Sequence, residues 1–271
     1  MMPERRPRLE GKVAIVTGAG SSGPGIGTGK ATAVLFAREG ARMLLVDRIA
    51  TQAEETLAAI REEGGDASVC EADVIKPADC QGMVDTARAR YGRLDILVNN
   101  VGILGPGSVV DVKEDDWDRV LDVNLKSMML TSKYAIPAMI EGGGGAIVNL
   151  SSIAGLRAGS GGASIPYSVS KGGVIALTTQ MAVHHGRDNI RVNCIAPGHI
   201  YTPMVAAGMT EELRGLRRQA GPLGTEGTAW DIAWAAVFLA SDEARWITGV
   251  VLPVDAGLLA TTPLAMLRHL R

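Results

Sequence analysis

Aromatic side chains are scarce: two Phe, four Tyr and four Trp make up 4% of the 271 residues. The interior therefore cannot rest on large rings, and its volume must come from aliphatic residues within a hydrophobic share of 46%. Cysteine is scarce too. Cys70, Cys80 and Cys194 are odd in number, far apart and form no Cys-x-x-Cys pair, which argues against a disulfide framework and for a reduced, cytoplasmic setting. Neither sign of charge dominates. The 27 Lys and Arg against 29 Asp and Glu leave a net charge of −2, so no basic field points to nucleic acid. No run approaches the ~18 apolar residues of a membrane helix, and no membrane partner is expected. The basic segment Met1–Arg8 leads into no apolar stretch of the kind a secretory signal needs. His184 and His185 are adjacent and cannot share a helix face as paired ligands, so no metal site is expected.

Glycine, by contrast, is abundant. There are 34, nearly twice the usual ~7% share. Six of them, from Gly18 to Gly29, follow the β-branched run Lys12–Thr17 and precede a helix-like stretch, Lys30 to Glu39, that Gly40 closes. A strand, a glycine turn and a helix can cradle a pyrophosphate, because the backbone approaches closely and the helix N-terminus offers N–H donors. Gly18, Gly25, Ile26 and Gly27 are the candidate cradle. The next strand, Arg42–Val46, ends at Asp47. A carboxylate there accepts hydrogen bonds from the adenosine ribose and repels a 2′-phosphate, which favours NAD over NADP. Arg48 beside it is the competing term, and a turn or cap role for Asp47 is compatible with both.

Strands and helices then alternate. Strands are expected at Ala67–Ala72, Leu94–Val98, Ala146–Leu150, Ile190–Ile195 and Gly249–Val254, and helices at Thr51–Glu63, Pro77–Arg90, Glu114–Ile140 and Gly227–Ala240. With short connections, this is the pattern of a seven-stranded, doubly wound parallel sheet in three layers, one domain over residues 1–271. Ligands of such sheets sit at the carboxyl ends of strands. The stretch 202–224 reads as a small helical lid, and 259–271 as a tail. In the helix around 167–185, Tyr167 and Lys171 are four residues apart and share one face. An ammonium beside a phenol should lower the phenol's pKa and fit it for proton exchange.

These residues together resemble the short-chain dehydrogenases/reductases of roughly 250 residues, a family of the Rossmann type, from about Leu9 to Leu258. The matching signs are Thr17–Gly18 with Gly25–Ile26–Gly27, Asp73–Val74, Asn99–Asn100–Val101–Gly102, Asn124, Ser152, Tyr167-x-x-x-Lys171 and the run Pro197–Met204. Ile247–Thr248–Gly249 and Val254–Asp255 also fit. The resemblance implies that Tyr167 exchanges the proton, Lys171 holds the nicotinamide ribose, Ser152 binds the substrate oxygen and Asn124 holds a water. It further implies cofactor contacts by Asp73, Val74, Asn100, Gly102, Pro197, Gly198 and Ile200, with Thr202 on the carboxamide. It implies a homotetramer, or a homodimer, paired through the helices 114–140 and 167–185, with Met128, Met129, Ala176 and Ala182 as candidate contacts.

Two departures stand out. Counted to Gly25, the glycine turn carries three extra residues, and Ser152 precedes Tyr167 by 15 positions where 13 is common, so a bulge is expected at Gly159–Ser164. Ile103, Leu104, Leu156, Arg157, Met204 and Met209 are pocket candidates. The Arg214, Arg217, Arg218 cluster reads as a solvated face. The resulting expectation is an NAD(H)-dependent oxidoreductase interconverting a small secondary alcohol and a ketone. A 3-oxoacyl thioester reductase using NADPH and a non-catalytic dinucleotide sensor are the alternatives.

Overall fold

A computed structural model describes residues 7–158 and 165–262, together with 265, 266 and 269. Among these, seven strands form one sheet: β1 (Val13–Thr17), β2 (Arg42–Asp47), β3 (Ala67–Glu71), β4 (Ile96–Asn99), β5 (Gly145–Leu150), β6 (Ile190–Pro197) and β7 (Val251–Val254). Their order is β3-β2-β1-β4-β5-β6-β7, and every pairing is parallel. The chain winds outward from β1 to β3, then returns to β4 and winds the other way. The reversal lies between β1 and β4, where doubly wound sheets bind ligands.

The sheet is buried on both faces, which is why β1, β4 and β5 are near-continuous apolar runs rather than alternating ones. One face is covered by α1 (Thr28–Arg38), α2 (Ala50–Glu62) and α9 (Ala229–Ala240), whose Ala31, Phe36, Leu57 and Ala236 join Val16 and Val98 in one core. The other is covered by α3 (Pro77–Tyr91), α5 (Ser127–Glu141) and α6 (Ile165–His185). Here Met83, Met139 and Met181 pack on Ile15, Leu97 and Ile147.

The helix expected over 114–140 is present but not α-helical throughout. It consists of α4 (Glu114–Leu121), a π-helical turn at Asp122–Lys126, and α5, which runs straight through Pro137. The π turn inserts one residue into the helical ladder, as such bulges do at functional sites. Residues 203–220 form two short helices, α7 (Pro203–Ala206) and α8 (Glu211–Ala220). The expected bulge at Gly159–Ser164 lies outside the described residues, as do Leu264, Leu267 and Leu270 of the tail.

Candidate active site

A cavity of about 600 Å³ opens along the carboxyl ends of the strands. Its adenosine end is set by β1, β2 and the glycine turn. Gly18 takes a left-handed φ of 64° just after β1. The Asp47 carboxylate at the end of β2 accepts from the backbone N–H of Gly20 at 3.0 Å and of Ile49 at 3.0 Å. Asp47 therefore has the turn role the sequence allowed, and it also lines the cavity beside exposed Arg48. Asn100 closes this end from β4: its Nδ2 donates to the carbonyls of Thr17 and Gly18, both at 3.1 Å, and its Oδ1 accepts from Thr28 Oγ1 at 2.8 Å.

The glycine cradle is displaced from the expected one. Helix α1 begins at Thr28, with Gly27 as its N-cap. Gly27, Thr28 and Gly29 line the cavity; Gly25 and Ile26 do not, and Ile26 is exposed. The decisive contact is Gly29, where a Cβ would fall 1.8 Å from the Gly18 carbonyl oxygen. Only glycine lets α1 start this close to β1. The pattern is thus Gly27–Thr28–Gly29, nine positions after Gly18, and five extra residues rather than three precede it. Ser21 secures the longer loop by accepting from Gly27 N–H at 2.9 Å. The same tight packing, with backbone N–H groups at a helix start, suits a pyrophosphate. Asp73, Val74 and Gly102 complete the wall on the β3–β4 side, and Pro197, Gly198, Ile200 and Thr202 on the β6 side.

The other end holds Ser152, Tyr167 and Lys171, all on the cavity wall. Ser152 follows β5 and caps a short 3₁₀ turn by accepting from Ala154 N–H at 3.1 Å. Its side chain acts on the Tyr167 phenol in the direction that favours the phenolate. Lys171 is buried at 3% exposure and donates to the Leu150 carbonyl at 2.8 Å. Burial lowers its pKa from 10.5 to about 8. Tyr167 departs from expectation. Its pKa is raised, because burial disfavours the phenolate by more than Ser152 favours it. Lys171 Nζ lies 5.7 Å from the centre of the tyrosine ring.

Asn124, in the π turn, is fully buried behind this wall. Its Oδ1 accepts from Ile103 N–H at 2.7 Å; its Nδ2 donates to the Ile103 carbonyl at 2.9 Å and to Ser170 Oγ at 3.0 Å. It ties the loop after β4 to α6, one residue from Lys171. A Cβ on Gly102 in that loop would sit 3.2 Å from Lys171 Nζ. Of the pocket candidates, Ile103, Leu104 and Met204 reach the cavity, and Leu156, Arg157 and Met209 do not. Arg119, Thr28 and Gln52 line it without having been singled out. Thr28 was discoverable as the first helical residue; nothing in the spacing marks the other two. Among the described residues no cluster of three or more His, Cys, Asp or Glu could hold a metal, and no helix is long and apolar enough to cross a membrane.

Known proteins resemble this chain in sequence and in fold. A family profile described as enoyl-(acyl carrier protein) reductase matches residues 23–259. The chain is 39% identical to a 3-oxoacyl-(acyl-carrier-protein) reductase of Thermotoga maritima, over 93% of this chain and 99% of that one. It is 38% identical to a 2,5-dichloro-2,5-cyclohexadiene-1,4-diol dehydrogenase of Sphingobium indicum, over 92% and 97%. A crystal structure of a short-chain dehydrogenase/reductase from Burkholderia xenovorans superposes with a TM-score of 0.90 at 43% identity, covering 94% of this chain and 99% of that one. A 7α-hydroxysteroid dehydrogenase complexed with NADH and a 7-oxo bile acid superposes at 0.87 and 35% identity, covering 95% and 98%. Sheet order, cavity, the Ser152–Tyr167–Lys171 wall and these likenesses agree: the chain belongs to the short-chain dehydrogenase/reductase family of oxidoreductases.

Proposed function

We propose that the protein interconverts a secondary alcohol and a ketone with NAD(H), and that Tyr167 is the general acid/base. The observation that carries this is the convergence of Ser152, Tyr167 and Lys171 at one end of a cavity whose other end carries Asp47 and the glycine turn. The bound nicotinamide supplies or accepts the hydride. In the reducing direction Ser152 and Tyr167 hold the carbonyl oxygen, and Tyr167 gives it a proton. The raised pKa of Tyr167 suits that task, since the proton is retained until the oxygen becomes basic. Lys171 and Asn124 position the tyrosine face, and apolar Ile103, Leu104 and Met204 receive the substrate's carbon skeleton. Tyr167→Phe is expected to lower kcat by ~10²–10⁴-fold and to leave the NADH dissociation constant within about twofold. Near-normal turnover in this variant would remove Tyr167 from the chemistry.

NAD is the cofactor of choice in this reading because Asp47 stands where a 2′-phosphate would lie. Like-charge repulsion and a lost ribose hydrogen bond together correspond to roughly 2 kcal/mol, on the order of 30-fold in kcat/KM for NADH over NADPH. Asp47→Ala should erase most of that ratio; a wild type that prefers NADPH contradicts it. Reduction of a 3-oxoacyl thioester is the second reading, favoured by the 39% identity to the Thermotoga maritima enzyme. A panel of alcohols, ketones and 3-oxoacyl thioesters followed by NADH and NADPH absorbance separates the two. A cytoplasmic location belongs to the same proposal and rests on the cysteine usage.

A further inference from the structure

Helix α8 carries Arg214, Arg217 and Arg218, and two of the three are neutralised. Arg214 forms a two-pronged pair with Glu226, at 2.7 and 2.5 Å, and lies 4.0 Å from the centre of the Tyr201 ring. Arg218 bonds to Glu211 at 2.9 Å. Arg217 does neither. Among the described residues it has no ion pair, and its guanidinium makes one hydrogen bond, to the Ile200 carbonyl at 3.2 Å. An arginine fork has five N–H donors, so most of its capacity is unused.

The placement of Arg217 is specific. It lines the 600 Å³ cavity next to Ile200, Thr202 and Pro203, and it also borders a second cavity of about 160 Å³ behind the turn after β6. Its guanidinium is tied to that turn by the Ile200 bond. Half-buried, its charge is disfavoured by desolvation, and Glu226 compensates only in part. Asp231 and Asp255 border the second cavity with it, but Asp231 accepts from Thr228 and Asp255 from the backbone N–H groups of Gly257 and Leu259. A held, underpaired fork on the wall of a ligand cavity is built to receive an anion.

We propose that Arg217 is an anion-binding residue of the lid-side wall, taking an oxygen of a phosphate, carboxylate or sulfonate on the molecule bound in the cavity. Two sources carry that chemistry: the pyrophosphate of a dinucleotide, or an acidic group on the substrate. The inference rests on the cavity being the dinucleotide and substrate site. It also means that the three arginines, uniform in sequence, divide into two that hold the lid together and one that faces the ligand.

The test compares wild type with Arg217→Met, which keeps the stem and removes the fork, and with Arg217→Lys, which keeps the charge. In one arm NADH is titrated by fluorescence. In the other, malonate and inorganic phosphate are titrated by calorimetry into NADH-saturated enzyme. One arm should weaken tenfold to a hundredfold in the Met variant, the range of a charge-assisted hydrogen bond, and recover in part with Lys. Loss in the NADH arm assigns Arg217 to the pyrophosphate; loss in the malonate and phosphate arm assigns it to the substrate. If the Met variant melts early, Arg217→Gln, which can still donate to Ile200, replaces it. A folded variant that changes neither arm by more than twofold overturns the proposal, as does wild type that binds no anion while its NADH affinity is insensitive to Arg217. A wild type that fails to bind NADH strikes the proposed function instead; the anion arm, run without NADH, then decides Arg217.

Discussion

At the residue scale, Lys171 shows function set against stability. Its ammonium is buried with one carbonyl partner, and its pKa falls from 10.5 to about 8. The unfolded chain therefore binds the lysine proton more tightly than the native one. Stability rises with pH where the unfolded state holds more protons, so this group costs stability below about pH 8 and the cost fades between about 8 and 10.5. Lys171→Met is expected to melt higher than wild type at pH 7, with the difference shrinking toward pH 10, while turnover is lost. A Tm difference that is flat across this range would show that the charge is compensated in the fold. The sequence marked Tyr167 and Lys171 by a four-residue spacing, but spacing gives only a shared helix face. It could not say that desolvation would dominate the phenol.

At the element scale, what the sequence made legible was alternation, and what it hid was register. All seven strands fall where apolar, β-branched runs stand. The glycine turn failed for a physical reason: Gly23, Gly25, Gly27 and Gly29 are spaced by two, so any adjacent pair satisfies a Gly-x-Gly pattern. Only the start of α1 distinguishes them, and that depends on which glycine meets β1. The consequence is a sharp contrast between neighbours. Gly29→Ala would drive its Cβ to 1.8 Å from the Gly18 oxygen and 2.6 Å from Asn100 Nδ2, with backbone on one side and a three-bond asparagine on the other. Gly23→Ala meets only Pro203 Cβ at 3.7 Å, an ordinary contact. Gly29→Ala should therefore lose several kcal/mol of stability, in the class of overpacking, with NADH binding lost as well. Gly23→Ala should stay within about 0.5 kcal/mol. Urea unfolding of the pair checks this, and equal effects would return the cradle to the earlier glycines. The π turn was illegible because its residues, Asp122–Lys126, read as one more turn of the same helix.

At the scale of the whole molecule, the open question is which faces remain uncovered. Two residues read from sequence as contacts between subunits, Met128 and Ala182, are buried inside the chain at 1% and 4% exposure, so they serve the core. The other two, Ala176 and Met129, face outward. Val169, Ala176 and Val183 are exposed and recur every seven positions, which lines them up along one side of the helix. Met129 and Ile140 are exposed on α5. An apolar stripe of this kind on a helix that also carries Tyr167 and Lys171 is expected to be covered by a second copy, giving a two-fold dimer or a tetramer built from it. Val183 tests this without touching the active site, because it is 75% exposed and lies 16 positions beyond Tyr167. Val183→Glu would place a charge inside that proposed contact, and burying it without a partner should cost several kcal/mol of association. Light scattering at micromolar concentration is expected to give a multiple of 28.3 kDa for wild type and a smaller species for the variant, with the far-ultraviolet circular dichroism unchanged. A wild type that runs as a monomer, or a variant that assembles as wild type does, would leave the stripe on α6 to some other use.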